Sequence, residues 1–251
     1  MNKEEWLNKW YPWITKKLGL NPDADFAAAM LLDSLIPNPI DASIAHGAIA
    51  GNTCLVLGAG PSLERTFDRV LPTDVVSVAS DGAARMFMHR RLDPPDFLVT
   101  DLDAGDDVIL WCSRRSVLVV HAHGDNVKAL VRLIPPLVSS GAKIIPTTQT
   151  VTIGKLSNFF GFTDGDRAAW FCHAMGAKRI MLVGMDFGQC VGRFSKPVPH
   201  ADKGRKLEKL RIGERLIQRL AEEADVCTVK GSRTIPRVPR CDAAGRPASD
   251  N

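Results

Sequence analysis

The chain lacks long apolar runs, a signal-peptide core and a strong charge of either sign, and each absence removes a class of protein. No stretch approaches the ~18 consecutive apolar residues of a transmembrane helix. The opening residues MNKEEWLNKWYPW are too polar for a signal peptide, so we expect a cytoplasmic protein with no membrane partner. The formal net charge of +4 is too small to indicate a nucleic-acid partner.

Cysteine pairs at metal-binding or redox spacing are also missing. The sequence has six cysteines, and no two of them form a C-x-x-C motif. Cys54 and Cys227 lie inside runs that are typical of strands. We therefore expect the cysteines to be small buried side chains in a reducing compartment, without a disulfide framework.

A regular alternation of strand-like and helical segments begins near residue 53. The strand-like runs are rich in β-branched residues and almost continuously apolar, as strands covered on both faces are. Helical patterns separate several of them, which predicts an α/β fold with a mostly parallel, Rossmann-like sheet flanked by helices. The predicted strands are 53–58, 75–80, 96–101, 116–122, 143–148, 179–185 and 225–230.

The chain divides into three parts by its pattern. Residues 1–48 form a small N-terminal helical region, in which 3–19 place tryptophans and aliphatic residues at helical spacing. We expect this aromatic face to dock on the main body. Residues 49–231 form the α/β domain that holds the site, and residues 232–251 have no apolar period, so we predict a mobile tail.

Acidic signatures follow the predicted strands. They are SDGAAR (80–85), DLDAGD (101–106), HAHGDN (121–126) and GFTDGD (161–166), and the first three come directly after apolar runs. In a parallel sheet the carboxyl ends of the strands meet at the ligand-binding edge. Clustered carboxylates there favour a hard cation such as Mg²⁺. The predicted metal ligands are Asp81, Asp101, Asp103 and Asp125.

The strongest of these signatures is DLDAGD. Asp101 and Asp103 are two residues apart on an extended segment, so their side chains point to the same side. Two neighbouring carboxylates repel each other unless a cation or protons neutralise them. With Asp125 and His123, this pair makes up the predicted catalytic group.

The H-x-H motif of His121 and His123 leaves a zinc site open as an alternative. The remaining histidines do not stand in matching positions after strands, and Asp125 and Asn126 supply the oxygen ligands that suit Mg²⁺. We expect His123 to contact phosphate or to help desolvate a hydroxyl group, and His121 to be structural.

A phosphate-facing turn is predicted at GAGPSL (58–63). Gly58 and Gly60 allow a close backbone approach to an anion, and Ser62 adds a hydroxyl donor. Leu63 stands where a dinucleotide-binding fingerprint has its third glycine, so that alternative is weak. Lys203 and Lys206, in a lysine-rich helical segment, are expected to reach phosphate groups of a ligand.

The remaining polar residues near predicted strand ends are candidates for substrate contacts. A carboxylate such as Asp186 accepts two hydrogen bonds from the amidine-like edge of a heterocycle. Thr163 or Asp164 has a helix N-cap as its alternative role. The full set is Asn126, Gln149, Thr163, Asp164, Asp166 and Asp186.

Taken in order along the chain, these motifs resemble those of a known family. GAGPSL, SDGAA, PPDFLVTDLDAG, VVHAHGDN, TTQT, GFTDGDRA, GMDFG and KGRKLEKL are similar to the archaeal type of 6-hydroxymethyl-7,8-dihydropterin pyrophosphokinase. That family is related in fold to the catalytic domain of thiamine pyrophosphokinase. The resemblance covers roughly residues 50–230.

The resemblance implies a Mg²⁺-dependent transfer of diphosphate from ATP to the hydroxymethyl group of a reduced pterin. AMP is the second product, and the pathway is tetrahydromethanopterin or folate synthesis. Three alternatives remain open: thiamine or another alcohol as acceptor, a transferase acting on a nucleotide sugar, and a nucleotide-binding module without catalysis. A homodimer is expected by analogy with thiamine pyrophosphokinases alone.

Overall fold

A computed structural model describes residues 1–70, 75–188, 192–195 and 202–248 of the chain. Its centre is an eight-stranded sheet with the order β5-β4-β3-β2-β1-β6-β7-β8. Every neighbouring pair of strands in it is parallel. The strands are β1 (Thr53–Leu57), β2 (Val76–Ser80), β3 (Phe97–Thr100), β4 (Val117–Ala122), β5 (Ile144–Thr148), β6 (Arg179–Val183), β7 (Val226–Val229) and β8 (Arg240–Cys241).

Helices precede the sheet and connect its strands. A π-helical turn over Trp6–Trp10 joins the first two of them into one continuous segment. Within the described residues, no helix is both long enough and apolar enough to cross a membrane. The helices are α1 (Lys3–Glu5), α2 (Tyr11–Leu18), α3 (Pro22–Leu35), α4 (Ala42–Ile49), α5 (Leu63–Thr66), α6 (Arg85–His89), α7 (Asp106–Cys112), α8 (Val127–Ser139), α9 (Asp164–Ala174) and α10 (Lys203–Leu220).

The sheet is covered on both faces. In β1, Leu55 and Leu57 point into a core formed with α3 and α5 to α8, whereas Cys54 and Val56 point into a second core formed with α4, α9 and α10. This period of two places apolar side chains on both faces, which is why the strands are almost continuously apolar in sequence. The predicted fold class, a mostly parallel sheet flanked by helices, is confirmed.

The N-terminal helices dock on the main body through their aromatic face, as predicted. Trp6 and Ile14 are fully buried and form a third cluster with Ile212 and Leu216 of α10. The Trp6 indole N–H also donates a hydrogen bond of 2.7 Å to the carbonyl of Gln149, just after β5. These contacts tie the N-terminal region to the carboxyl edge of the sheet.

The C-terminal part of the chain differs from the expectation of a mobile tail. β8 pairs with β7, and Ile235 and Val238 are buried. A disulfide joins Cys227 to Cys241, so the expectation of reduced cysteines is wrong for this pair. β8 has two residues, which is too short to produce a recognisable alternation in sequence.

The other cysteines that the structure describes fit the prediction. Cys54, Cys112 and Cys172 are buried and carry free thiols. Cys190 lies outside the described residues. Of the helices, α4 begins inside the predicted N-terminal helical region, and α7 begins at the last aspartate of the DLDAGD signature.

Candidate active site

The polar residues that follow the strands converge on one cavity. Since the sheet is parallel, the segments after β1, β2, β3, β4, β5 and β6 leave at the same edge, and they surround a cavity of ≈ 690 Å³. Of the predicted residues, those on its wall are Gly58, Gly60, Asp81, Asp101, Asp103, His123, Asp125, Gln149, Thr163, Asp164, Asp186 and Lys206.

Three carboxylates on the cavity wall lie close together and form a group that we call the acidic centre. Asp81, Asp101 and Asp103 each offer an oxygen, and these oxygens lie within 4.8 Å of one another. The Thr100 hydroxyl donates to Asp81 Oδ1 at 2.7 Å and accepts from the Leu102 N–H at 2.8 Å. Thr100 therefore fixes the turn that carries two of the aspartates relative to the third.

The backbone around these carboxylates is unusual. Asp81 has φ 43° and Leu102 has φ 71°, both in the left-handed region that few non-glycine residues adopt. Left-handed residues outside glycine persist where the surrounding structure fixes them, and they cluster at functional sites. Here they turn the chain immediately after β2 and between Asp101 and Asp103.

The mutual repulsion of the carboxylates is visible in their acidity. Burial raises the pKa of Asp81 well above its usual range, and the charges of Asp164, Asp101 and Asp103 raise it further. Burial also acts to raise the pKa of Asp101, but the hydrogen bond from His123 and the charge of Arg167 outweigh it and hold that pKa below its usual value. The protonated form is thus favoured at Asp81, and the ionised form is favoured at Asp101.

The donor set fits a hard divalent cation. Asp101 Oδ1 is buried and has no hydrogen-bond partner among the described residues. An unpaired buried carboxylate oxygen is costly unless a cation or a donor satisfies it. Three carboxylates with converging oxygens, one of which also has a buried unpartnered oxygen, have the chemistry of a Mg²⁺ site.

A fourth carboxylate, Asp164, lies beside this group in the first turn of α9. Burial and the neighbouring charge of Asp101 raise its pKa to about 8, and the guanidinium of Arg167 partly offsets this. Asp164 was predicted as a substrate contact. The structure brings it to the acidic centre, although it lies outside the three-carboxylate group.

His123 is aligned by hydrogen bonds on both ring nitrogens. The Asp125 N–H donates to Nδ1 at 3.2 Å, and Nε2 lies 3.1 Å from Asp101 Oδ2. Because Nδ1 accepts a hydrogen bond, the ring hydrogen lies on Nε2, and Nε2–H donates a hydrogen bond to Asp101. Asn126 holds this loop in place, since its amide donates to the carbonyls of Asp101 and His121.

Asp125 lies on the cavity wall but outside the group of three carboxylates among the described residues. Its side chain is 68% exposed, and its carboxylate lies 4.0 Å from the guanidinium of Arg205. Its predicted role as a metal ligand stays a prediction that this arrangement does not favour.

His121, the other member of the H-x-H motif, is buried in the interior. Its Nδ1 lies 3.1 Å from the Thr147 hydroxyl on β5, and burial lowers its pKa far below the usual value. Within the described residues, the candidate metal cluster contains carboxylates and no histidine. The arrangement therefore favours Mg²⁺ over the zinc alternative, and a structural role for His121.

At one end of the cavity, the glycine turn after β1 packs directly against the turn after β6. A Cβ on Gly60 would lie 2.4 Å from the carbonyl oxygen of Gly184, so only glycine fits. Ser62 is fully buried, and both its N–H and its hydroxyl donate to the Asp186 carboxylate. Ser62 and Asp186 thus bind each other and fix the shape of the turn. Asp186 lines the cavity, whereas Ser62 is not among the lining residues in the described part of the chain.

Basic side chains of α10 form part of the same cavity wall. Arg205, Lys206 and Lys209 line the cavity, whereas Lys203 is exposed and is not among the wall residues that the structure describes. Burial and the nearby Arg205 lower the pKa of Lys209. Sequence reasoning missed Lys209, because a charge on an amphipathic helix is usually on the solvated face.

Some of the remaining predicted residues line the cavity, and others hold neighbouring segments in place. Thr163 caps α9 and lies on the cavity wall, while Asp166 is fully buried and accepts from the N–H groups of Phe162 and Thr163 at 2.6 and 2.8 Å. Asn126 lies on the wall of an adjoining cavity of ≈ 510 Å³. Asp166 and Asn126 therefore position their neighbours.

Two wall residues from outside the predicted set complete the site. Asp25 comes from α3 in the N-terminal region, and Arg167 comes from α9. Arg167 stands inside the GFTDGDRA motif, which was a usable signal. For Asp25 the sequence held no signal, since a single acid in a helix is ordinarily exposed.

The fold and the site together define an α/β protein with a parallel sheet and a carboxylate-rich ligand cavity at the carboxyl ends of its strands. A family model described as 6-hydroxymethylpterin diphosphokinase MptE-like matches residues 33–192. The chain belongs to this family.

Relatives named 6-hydroxymethyl-7,8-dihydropterin pyrophosphokinase extend the match over most of the chain. The protein of Methanothermobacter thermautotrophicus is 38% identical, over 90% of this chain and 98% of its own length. The Pyrococcus furiosus protein is 37% identical over 87% of this chain and 94% of its own. The Methanocaldococcus jannaschii protein is 30% identical over 90% of this chain and 98% of its own length.

A solved structure supports the fold alone. The MAf glycosyltransferase from Magnetospirillum magneticum AMB-1 superposes with a TM-score of 0.55 at 14% identity. The match covers 88% of this chain and 38% of the glycosyltransferase chain. Sheets of this kind host many chemistries, so the likeness says nothing of activity.

Proposed function

We propose that this protein transfers diphosphate from ATP to the hydroxymethyl group of 6-hydroxymethyl-7,8-dihydropterin and releases AMP. The observation that carries the proposal is the group of Asp81, Asp101 and Asp103 on the wall of a cavity large enough for two substrates. The names of the relatives, at 30–38% identity, support the acceptor and the transferred group. The product would serve tetrahydromethanopterin or folate synthesis in the cytoplasm.

In this reaction the hydroxyl oxygen of the pterin attacks the β-phosphorus of ATP. The bond between the β-phosphorus and the oxygen that bridges it to the α-phosphorus breaks, AMP leaves with that oxygen, and the hydroxyl proton is released to water. Such transfers need little covalent chemistry from the protein, so positioning and charge stabilisation dominate the rate.

Asp81, Asp101 and Asp103 would hold Mg²⁺, and Mg²⁺ when bound supplies the positive charge that stabilises the phosphate oxygens in the transition state. The backbone around Gly58 and Gly60 would receive ATP phosphate at the end of β1. Lys206 and Lys209 line the same cavity and would neutralise the outer phosphates.

The decisive experiment follows the products of the purified protein with Mg²⁺, ATP and the reduced pterin alcohol. We expect AMP and pterin diphosphate to form in equal amounts. ADP in place of AMP would mean a simple kinase and would contradict the proposal. Thiamine and a nucleotide sugar, tested in parallel, separate the two rival transfers, and ATP binding without turnover would indicate a non-catalytic module.

A further inference from the structure

Besides the acidic centre, the cavity wall has two chemically unlike parts, which we call its two ends. One end is the glycine turn described above. The other end is walled by Leu20 and Asn21 before α3, by Phe162, and by a buried polar network that begins at Asp25. This second end contains the side chains that the N-terminal helices contribute to the site.

The network starts with a carboxylate that is nearly inaccessible to solvent. Asp25 is 4% exposed. Its Oδ2 accepts from the Tyr11 hydroxyl at 2.8 Å and from Gln149 Nε2 at 2.6 Å, and its Oδ1 accepts from the Gly124 N–H at 2.8 Å. A buried carboxylate with these donors is a fixed acceptor that dictates the orientation of each donor.

Asp25 fixes the orientation of the Gln149 amide, and the Gln149 amide in turn binds Arg167. Because Nε2 of Gln149 donates to Asp25, its Oε1 must face the other way, where it accepts from Arg167 at 2.8 Å. Arg167 in turn lies 3.4 Å from Asp164 Oδ1. Gln149 and Arg167 are 3% and 7% exposed, so water does not compete strongly for these hydrogen bonds.

The same helix also touches the loop that carries His123. A Cβ on Gly124 would lie 2.8 Å from the Cβ of Ala24, so α3 and this loop are in direct contact. Asp25 thus meets the acidic centre by two routes: through Gln149 to Arg167 and Asp164, and through Gly124 to the residue beside His123.

The chemistry of this end suits a neutral planar ring. The charges of Asp25 and Arg167 offset each other within the network, while Leu20 and Phe162 supply apolar surface. A ring with hydrogen-bonding edges is recognised by a few fixed polar groups on an otherwise apolar wall. The glycine-turn end and the lysines of α10 suit the nucleotide.

We propose that Asp25 is a positioning residue for the acceptor alcohol, and that through Gln149 it holds Arg167 in the geometry that the acceptor ring requires. The inference rests on the proposed function, and it makes the N-terminal helices part of the acceptor subsite.

The inference is tested by exchanging the carboxylate of Asp25 with the amide of Gln149, first one at a time and then together. In Asp25→Asn, an amide N–H replaces an acceptor oxygen. In every orientation of the two amides a donor then faces a donor: at the Gly124 N–H, at Gln149 Nε2 or, if Gln149 turns, at Arg167. In Gln149→Glu, two carboxylates face each other. In the double variant Asp25→Asn/Gln149→Glu, the amide donates to the new carboxylate, which also accepts from Arg167, so the chain of donors and acceptors is restored.

We expect each single variant to lower kcat/KM for the pterin alcohol by about 10- to 100-fold, with KM for ATP unchanged, since a mispaired buried hydrogen bond is costly. The double variant should recover most of the loss. Asp33→Asn is the matched control, because Asp33 lies on the same helix and contacts Lys155 away from the cavity. It should behave as the wild type.

Thermal unfolding of every variant separates misfolding from mispositioning. If Asp25→Asn turns over the pterin alcohol as well as the wild type, or if the double variant is no better than the single variants, the inference is wrong while the proposed function stands. A wild-type protein that forms no pterin diphosphate overturns the proposed function and this inference with it.

Discussion

At the scale of single residues, the site is a balance among carboxylates that are too close to be charged together without a counter-ion. Asp81 and Asp164 have raised pKa values, and burial is the first cause in both. The pKa of Asp101 stays below its usual value because His123 donates a hydrogen bond to its carboxylate. Such a set is costly to a protein that does not use it, which is why we assign it to metal and phosphate chemistry.

The residue whose loss should be most informative is Asp103. Asp103→Asn removes one of the three converging carboxylates without changing side-chain size, and we expect kcat to fall by about 100-fold or more because preorganised charge stabilisation is lost. Steady-state kinetics with Mg²⁺ and ATP measure the effect.

Asp93→Asn serves as its control. Asp93 is 79% exposed and pairs with Arg115 far from the cavity, so activity should stay within about twofold. Near-normal turnover by a folded Asp103→Asn protein would remove Asp103 from the proposed metal site.

Several residues at this scale were predictable and others were not. Asp101 and Asp103 were predictable because their spacing on an extended segment places them on one side. Lys209 was not, since only the packing of α10 against the cavity distinguishes it from the solvated charges around it. For Asp166 the motif indicated proximity to the site, but only the hydrogen bonds to Phe162 and Thr163 reveal a capping role.

At the scale of elements, the turns after β1 and β6 depend on each other. Gly184 has φ 67°, and a Cβ there would lie 2.2 Å from the carbonyl oxygen of Gly58. The two turns are held further by Asp186, which accepts from Ser62 and from the Arg233 N–H at 2.9 Å. The conformation of the glycine turn after β1 therefore depends on two strands and on the segment after β7.

Gly184→Ala tests this dependence. The added methyl group meets backbone in a conformation unfavourable for alanine, so we expect a loss of more than ~1 kcal/mol in unfolding free energy and weaker binding of a non-hydrolysable ATP analogue. Denaturant unfolding and a binding titration give the two quantities.

Gly47→Ala is the matched control, because Gly47 lies within α4 and a Cβ there meets nothing within 4 Å. Alanine in a helix should stabilise by up to ~1 kcal/mol. Unchanged stability and unchanged nucleotide affinity in Gly184→Ala would show that the two turns move apart easily.

At the scale of the whole molecule, the stability of the metal-free protein should depend on pH in an unusual direction. The pKa of Asp164 is about 8 in the folded chain, above the ordinary value near 4 that applies when the chain is unfolded. A raised carboxyl pKa stabilises the fold at low pH, and this contribution is lost as pH rises toward the folded pKa. Asp81 acts in the same direction.

Mg²⁺ should reverse this loss, because bound cation stabilises the charged carboxylates. We expect the increase in Tm on adding Mg²⁺ to be larger at about pH 8 than at about pH 6, and Asp164→Asn to reduce the difference. Thermal unfolding with and without Mg²⁺ at both pH values measures it. An increase that is the same at both pH values would mean that these protons are not linked to the metal.

The sequence by itself determined the strands of the parallel sheet except β8, the edge at which the site lies, and the central aspartates. It does so because strand periodicity and the residues directly after a strand are local properties, and parallel pairing brings them to one edge. The tertiary structure decided what depends on contacts between distant segments: the Cys227–Cys241 disulfide, the inward direction of Lys209, and the place of Asp25 in the cavity. Asp25 and Gln149 are 124 residues apart, and no local pattern encodes a hydrogen bond across that separation.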